Sequence, residues 1–163
     1  MDTMWAPWRM EYIRMEKPEG CILCDKPGET GDDANRILYR GKRNYIMMNT
    51  YPYNPGHLLV APYRHVPGLE DLTKLELHEH YEIVAECIRV LRGVFKPAGF
   101  NIGVNAGRIA GAGIADHVHT HIVPRWQGDT NFMPVVGCVR VIPEAMEETF
   151  SKLKGKFKKL EKR

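Results

Sequence analysis

The chain has 163 residues, of which 44% are hydrophobic and 26% are charged, and its formal net charge is +3. This length and composition predict one soluble domain with a buried core. No apolar run approaches the about 18 residues of a membrane span, and the first residues lack the pattern of a signal peptide. We therefore expect a cytoplasmic protein without a membrane partner, and the small net charge argues against a nucleic-acid partner.

The first half of the chain predicts short strands separated by turns. Residues 1–34 predict an irregular segment, and residues 37–39 and 45–48 predict two strands joined by a turn at Gly41. A loop rich in proline, tyrosine and asparagine then leads into a third strand, at residues 57–61. The pattern is typical of an antiparallel sheet.

Helical periodicity extends from about Leu72 to Phe95. Thr73 and Glu76 have the spacing of a capping box at the start of this helix, and Pro97 ends it. His78 and His80 lie in a polar stretch of the helix, and the pattern assigns them no role. One long helix is therefore expected in the middle of the chain.

The second half of the chain predicts further strands and a closing helix. Strands are expected at residues 100–104, 117–123 and 134–141, followed by a basic helix over residues 143–163 whose lysines form a solvated face. Short turns and a single long helix favour a mostly antiparallel α+β fold, with residues 1–163 forming one domain.

Three histidines, His117, His119 and His121, alternate with two other residues. On a strand, this period places all three imidazoles on one face. Histidine titrates near neutral pH and is also a common metal ligand. The run therefore predicts either a metal-binding triplet or a catalytic one.

A second candidate site is the C-x-x-C motif of Cys21 and Cys24. In a cytosolic protein this spacing indicates a metal clip or a redox pair, and no thioredoxin-like βαβ unit supports the redox interpretation. Core packing accounts for Cys87 and Cys138. Zinc needs four ligands, so two histidines are the better remaining donors, and a metal-free pair stays as the alternative.

Two loops flank the histidine run. The stretch from Asn105 to Gly113 is rich in glycine and alanine, which lets backbone N–H groups approach an anion such as a phosphate. Trp126 lies in the following loop, where it is either an anchoring surface residue or a wall beside a nucleotide. Together, the loops favour a phosphate-bearing ligand near the histidines.

These motifs resemble the histidine triad (HIT) superfamily of nucleotidyl hydrolases and transferases. Residues 117–123 match its pattern of alternating histidines and apolar residues, except that Thr120 is not apolar. Residues 55–60 are similar to the strand that faces the triad in this family. Residues 4–9 and 124–132 resemble the branch of diadenosine polyphosphate phosphorylases, whereas Gly113 replaces the glutamine usual in the hydrolase branches.

The resemblance implies a role for each matching residue. His119 is the nucleophile that forms a covalent nucleotidyl-histidine, and His57 faces the triad and orients it. His121 and the backbone N–H groups near Gly111 and Gly113 stabilise the phosphoryl charge. The remaining expected substrate-binding residues are Asn49 at the ribose, Asn105 at the phosphate, and Trp126. The expected ligands of a structural zinc are Cys21, Cys24, His65 and His117.

The resemblance also implies a homodimer that acts on an adenine nucleotide such as AMP, ADP or a dinucleoside polyphosphate. Phosphate is the favoured acceptor, which makes phosphorolysis the expected reaction. Three alternatives stay open at this point: a HIT-type nucleotide hydrolase, a hydrolase with a catalytic metal on three histidines, and a non-catalytic nucleotide-binding protein.

Overall fold

A computed structural model describes residues 20–114, 116–129 and 144–158. The described helices and strands, numbered here in chain order, are α1 (Ile22–Gly28), β1 (Ile37–Arg40), β2 (Asn44–Met48), β3 (Leu58–Pro62), α2 (Lys74–Phe95), β4 (Gly99–Val104), β5 (Thr120–Arg125) and α3 (Met146–Phe157). The expected strand at residues 134–141, Cys138 and the segment 4–9 lie outside the described residues.

The five described strands form one sheet in the order β1-β2-β3-β5-β4. Every neighbouring pair is antiparallel, which confirms the expected α+β class. Strand β5 inserts between β3 and β4, so that Leu59 lies opposite His121 and Val60 opposite Thr120. This insertion brings the histidine run beside the strand that begins just after His57.

One face of the sheet packs against α2 and α3. Leu58, Val60 and Ile122 are buried there with residues of α2. Helix α3 begins at Met146 rather than at residue 143, and it buries Phe157 in the same core. The basic helix is therefore amphipathic: its lysines face outward, and its apolar stripe closes the core.

The opposite face of the sheet carries α1, which the sequence pattern did not predict. Leu23 of this helix packs on Tyr45 and Leu59, and the Tyr45 hydroxyl donates a 2.7 Å hydrogen bond to the Leu23 carbonyl. A helix of 7 residues with an internal proline is too short for a periodicity signal. Its position matters, because it holds the C-x-x-C motif against the sheet.

The start of α2 confirms the expected capping box. The Thr73 hydroxyl accepts a hydrogen bond from the Glu76 N–H, and the Glu76 carboxylate accepts one from the Thr73 N–H. Arg64 also pairs with Glu76, and its hydrogen bond is the main reason why the pKa of this carboxyl falls to about 2. The helix ends at Phe95, followed by Lys96 in the left-handed region.

The histidine run is less regular than the sequence pattern predicted. Strand β5 begins only at Thr120, so His117 and His119 lie in the segment before the strand and His121 within it. The three imidazoles do not share one strand face: the His117 ring contacts Cys21 and Cys24, whereas the His121 ring contacts His57. Among the described helices, none has the length and hydropathy required of a membrane-spanning segment.

Candidate functional site

His57 and His121 form a hydrogen-bonded pair at the centre of the candidate site. The His57 Nε2 lies 2.9 Å from the His121 Nδ1. The backbone N–H of Tyr53 donates to the His57 Nδ1 at 3.0 Å, so the ring proton of neutral His57 must be on Nε2. His57 therefore donates to the His121 Nδ1, which leaves the proton of neutral His121 on Nε2.

His119 lies next to this pair, with its ring centroid 4.9 Å from that of His121. Its Nδ1 is 2.8 Å from the carbonyl oxygen of His117, to which it donates. The proton is thus on Nδ1 and the lone pair on Nε2. His119 is only 6% exposed, and this burial lowers the pKa of the imidazole, which favours the neutral, nucleophilic form.

A second cluster contains all four expected zinc ligands. The candidate donor atoms of Cys21, Cys24, His65 and His117 lie within 4.8 Å of one another. The His117 Nδ1 is 3.3 Å from the Cys21 sulfur and 3.4 Å from the Cys24 sulfur. Tetrahedral zinc bonds of the usual lengths place sulfur and nitrogen about 3.6 Å apart, so this cluster fits zinc closely.

His117 is oriented for this cluster and not for the triad. Its Nε2 donates to the carbonyl oxygen of Pro62 at 2.9 Å, which leaves the Nδ1 lone pair directed at the cysteines. Burial, followed by the hydrogen bond to Cys21, raises the pKa of the Cys24 thiol to about 11. A divalent cation opposes this effect, because it stabilises the thiolate form.

The three triad histidines do not converge on one metal position. Within the part of the chain that the structure describes, the only group of three or more candidate ligands is the Cys21–Cys24–His65–His117 cluster. His119 directs its Nδ1 to a carbonyl oxygen, and His121 pairs with His57. This geometry does not favour the alternative of a catalytic metal on three histidines.

The loop before β3 covers the histidine pair. Tyr53 stacks on His57 with ring centroids 4.9 Å apart, although its own side chain is 37% exposed. The Asn49 amide lies 3.4 Å from the His57 ring nitrogens, and the Asn49 Oδ1 accepts a hydrogen bond from the Tyr51 N–H. Sequence reasoning missed Tyr53, whose position four residues before His57 was the available signal.

The glycine-rich loop lies at the other end of the triad. Val104 pairs with Thr120 in antiparallel register, and continuing that register brings the half-buried Asn105 beside His119. The Gly111 N–H donates to the Arg108 carbonyl, so a phosphate contact at this amide competes with the turn. Gly113 is half-buried in the same loop.

A network of polar groups holds the loop after β5. The Asp129 carboxylate accepts hydrogen bonds from the side chains of Arg125 and Asn54 and from the Trp126 N–H. The hydrogen bond from Arg125 is the main cause that lowers the pKa of this carboxyl. The Trp126 indole N–H donates to the Phe95 carbonyl at 3.3 Å, which anchors the ring at the end of α2.

The sequence pattern assigned no role to His80, but the structure places its side chain against the triad strand. His80 is fully buried, whereas His78 is exposed beside Glu82. Its ring contacts Thr120, the residue that departs from the apolar triad pattern, through a 2.7 Å hydrogen bond. The spacing of His80 from the buried Val84 and Cys87 was the signal that places it on the inner face of α2.

Comparison with known proteins agrees with this geometry. The chain is 41% identical over 157 residues to the AP-4-A phosphorylase of Mycobacterium tuberculosis, a match that covers 91% of this chain and 80% of the relative. It is 40% identical over 96 residues to the asymmetrical bis(5'-nucleosyl)-tetraphosphatase of Schizosaccharomyces pombe, covering 59% of this chain and 52% of that one.

A solved structure and a family model extend the comparison. A Zn-bound histidine triad family protein from Mycobacterium smegmatis superposes with a TM-score of 0.68 at 25% identity, covering 88% of this chain and 96% of that protein. The HIT domain family model matches residues 30–128, which is more than half of the chain and includes His57 and all three triad histidines. The chain therefore belongs to the HIT domain family.

Proposed function

We propose that the protein transfers an adenylyl group from a dinucleoside polyphosphate to phosphate, through a covalent intermediate on His119. The observation that carries this proposal is the state of the His119 ring. Its Nδ1 donates to the His117 carbonyl, so the lone pair is on Nε2 in a buried, neutral imidazole beside His121. Such a ring is suited to attack on phosphorus.

The reaction proceeds in two displacements at the same phosphorus. In the first, the His119 Nε2 lone pair forms a bond to the α-phosphorus, and the bond to the bridging oxygen of the leaving nucleotide breaks. In the second, a phosphate oxygen attacks the α-phosphorus, and the nitrogen–phosphorus bond breaks, which restores neutral His119. Transfer of AMP to phosphate yields ADP.

The neighbouring groups stabilise the charge that develops on the phosphoryl oxygens. The tautomer imposed by His57 puts a proton on the His121 Nε2, which is then a donor to a phosphoryl or leaving-group oxygen. The backbone N–H groups near Gly111 and Gly113 act on the same charge. Asn49 binds the ribose, Asn105 the phosphate, and Trp126 lies at the nucleotide.

Cys21, Cys24, His65 and His117 would hold a zinc ion, and its role would be structural. When bound, it would supply a positive charge that stabilises both thiolates, and its ligands would come from α1 and its N-cap, the segment after β3 and the segment before β5. His117 thereby links the candidate metal site to His119, because its carbonyl oxygen accepts a hydrogen bond from the His119 Nδ1. A reducing compartment such as the cytoplasm suits this thiol pair.

Phosphate is favoured over water as the acceptor. The relative that matches over 91% of this chain is named a phosphorylase, and the relative named a tetraphosphatase matches over 59%. Gly113 stands where the hydrolase branches carry a glutamine, which agrees with that preference. Hydrolysis is the second candidate function.

The experiment is a product analysis with diadenosine tetraphosphate, with and without phosphate. We expect phosphate-dependent release of ADP and ATP, no activity in His119→Ala, and an acid-labile AMP adduct on His119 of the wild type. His78→Ala is the matched control, because His78 is exposed on α2. AMP formation without phosphate identifies a hydrolase, and full activity in His119→Ala refutes the covalent mechanism.

The protein acts as a homodimer through β4. This strand is one of the two outer strands of the described sheet, and its Asn101, Ile102 and Gly103 are exposed, with Ile102 at 45%. An edge strand with an exposed apolar residue is suited to pairing with a second copy. Sedimentation of the wild type and of Ile102→Lys tests this assignment, and a monomeric wild type refutes it.

A further inference from the structure

We propose that His80 is a positioning residue for the reaction, which holds the triad in place through its hydrogen bond to Thr120. The inference rests on the proposed function for its activity test. His80 lies on α2, behind the sheet, and Thr120 lies between His119 and His121. His80 therefore acts on the two histidines from the face opposite to the site.

A directed chain of hydrogen bonds begins at Thr120. The His80 Nδ1 donates a hydrogen bond to the Asn44 Oδ1 at 2.9 Å. The His80 Nε2 therefore accepts a hydrogen bond from the Thr120 hydroxyl, whose Oγ1 lies 2.7 Å away. Both hydrogen bonds are buried away from water, because His80 and Asn44 are 0% exposed and Thr120 is 1% exposed. His80 is thus a donor through Nδ1 and an acceptor through Nε2, which fixes the direction of both hydrogen bonds.

The chain is fixed at its far end by the turn between β1 and β2. The Asn44 amide donates to Glu79, whose carboxylate also accepts the backbone N–H groups of Lys42 and Arg43. Strand β3 lies between β2 and β5 in the sheet. The hydrogen bonds from Asn44 on β2 through His80 to Thr120 on β5 therefore cross β3 on the face of the sheet that α2 covers. The middle of the triad is thus tied to α2 and to β2 as well as to its neighbouring strands.

Core packing alone does not call for this arrangement. The triad pattern has an apolar residue where this chain has Thr120, and Ile122 on the same face is buried among apolar groups of α2 and α3. A buried hydroxyl and imidazole impose a direction and a distance that apolar contacts do not. His80 also stays neutral, since burial lowers its pKa to about 4.

The test compares two substitutions of Thr120. Thr120→Val keeps the shape of the side chain and removes the hydroxyl, whereas Thr120→Ser keeps the hydroxyl. We expect kcat with diadenosine tetraphosphate and phosphate to fall about tenfold or more in Thr120→Val, because small displacements of reacting groups are costly. We expect Thr120→Ser to stay within about threefold of the wild type, and KM to change little in either variant.

A control separates positioning from general stability. Phe150→Leu loosens the same core from α3, far from the triad in sequence, and we expect it to leave kcat unchanged at a comparable loss of Tm. His80→Phe should lower kcat as Thr120→Val does, and the double variant should be no worse than the poorer single one. Equal kcat losses in Thr120→Val and Phe150→Leu overturn the inference.

A second measurement keeps the two proposals distinguishable. If the wild type transfers no adenylyl group, the proposed function fails. The same variants are then compared by the rate at which diethyl pyrocarbonate modifies His119, which mass spectrometry measures. We expect this rate to change in Thr120→Val and not in Thr120→Ser. Identical rates in the wild type and both variants overturn the role of His80 independently of the activity.

Discussion

The backbone N–H of Tyr53 determines which nitrogen of His57 faces His121. It donates to the His57 Nδ1 at 3.0 Å, which leaves the His57 Nε2 as the donor in the 2.9 Å contact with the His121 Nδ1. A loop that precedes β3 thereby sets the tautomer of a triad histidine. The arrangement is a hydrogen-bonded sequence in which each imidazole has one donor and one acceptor nitrogen.

The first prediction concerns the donor on His57. His57→Phe removes this donor, so residue 57 no longer donates to the His121 Nδ1 and no longer imposes the His121 tautomer. We expect kcat to fall by about 10- to 100-fold with little change in KM, as for other losses of orientation. Steady-state kinetics with diadenosine tetraphosphate and phosphate measures this effect.

His57→Gln is the matched control for this prediction. Its amide places a donor near the original Nε2, so we expect it to retain more of the wild-type kcat than His57→Phe. Zinc content and Tm of both variants establish that each folds. Wild-type kcat in His57→Phe would contradict a role of the pair in the reaction.

The second prediction concerns the metal centre. Cys24→Ser removes one of the four candidate ligands, and we expect purified protein to lose its zinc. With free zinc about 100-fold above its Kd, binding stabilises the folded state by about 2.7 kcal/mol. Its loss therefore lowers Tm by about 5–10 °C for a domain of this size. Elemental analysis and calorimetry provide the two measurements.

Cys87→Ala is the control substitution for the metal centre. Cys87 is buried in the core on α2, and no described contact links it to the cluster. We expect this variant to keep one zinc per chain. Zinc retained at full stoichiometry in Cys24→Ser would instead place the metal at other ligands.

Local patterns predicted most of the secondary structure, because each element carries its own signal. Thr73 and Glu76 marked the start of α2, and short apolar segments bounded by turns located β1 to β4. The metal centre required the family resemblance. Cys21 and His117 are 96 residues apart, and no local pattern states that α1 and the segment before β5 meet.

The sequence pattern did not predict the role of His80, and the reason is a different one. Its neighbours His78 and Glu79 are polar, which suggested a solvated stretch, yet helical spacing turns His80 alone toward the sheet. Its partner Thr120 belongs to an unrelated motif. A hydrogen bond between two such residues follows only from the packing of α2 on β5.

The third prediction is a pH dependence of stability that originates at His80. Burial lowers its pKa in the folded state from 6.5 to about 4, so the unfolded chain binds a proton over a pH range in which the folded protein does not. Stability is fully present above pH 6.5 and is lost as the pH falls towards 4. The slope is about 1.4 kcal/mol per pH unit, or about 3 kcal/mol over the range.

His80→Gln isolates this contribution, because glutamine does not titrate. Urea unfolding at several pH values gives the free energy of unfolding of both proteins. We expect the wild type to lose about 3 kcal/mol more than the variant between pH 7 and pH 4. Other groups, such as His119, titrate in both proteins, so their contributions largely cancel. Parallel pH profiles would contradict the prediction, because they would show that folding does not lower the pKa of His80.

The fourth prediction concerns Asp129, whose carboxylate joins the loop after β5 to Asn54. Asp129→Asn removes the negative charge that pairs with Arg125, and we expect the free energy of unfolding at pH 7 to fall by about 1 kcal/mol. The expected loss of unfolding free energy is small because the Arg125 side chain is 42% exposed and solvent screens the ion pair. Urea unfolding measures the difference, and Glu82→Gln, at an exposed site on α2, should have almost no effect.

The sign of its pH dependence distinguishes this carboxylate from His80. The pKa of Asp129 lies below its ordinary value of 3.8, so the contribution is present above about pH 4 and is lost only at lower pH. The wild type and Asp129→Asn should therefore differ by a constant amount between pH 7 and pH 5, where His80 already reduces stability. A difference that disappears by pH 5 would mean that the Asp129 carboxyl is not held by Arg125 in solution.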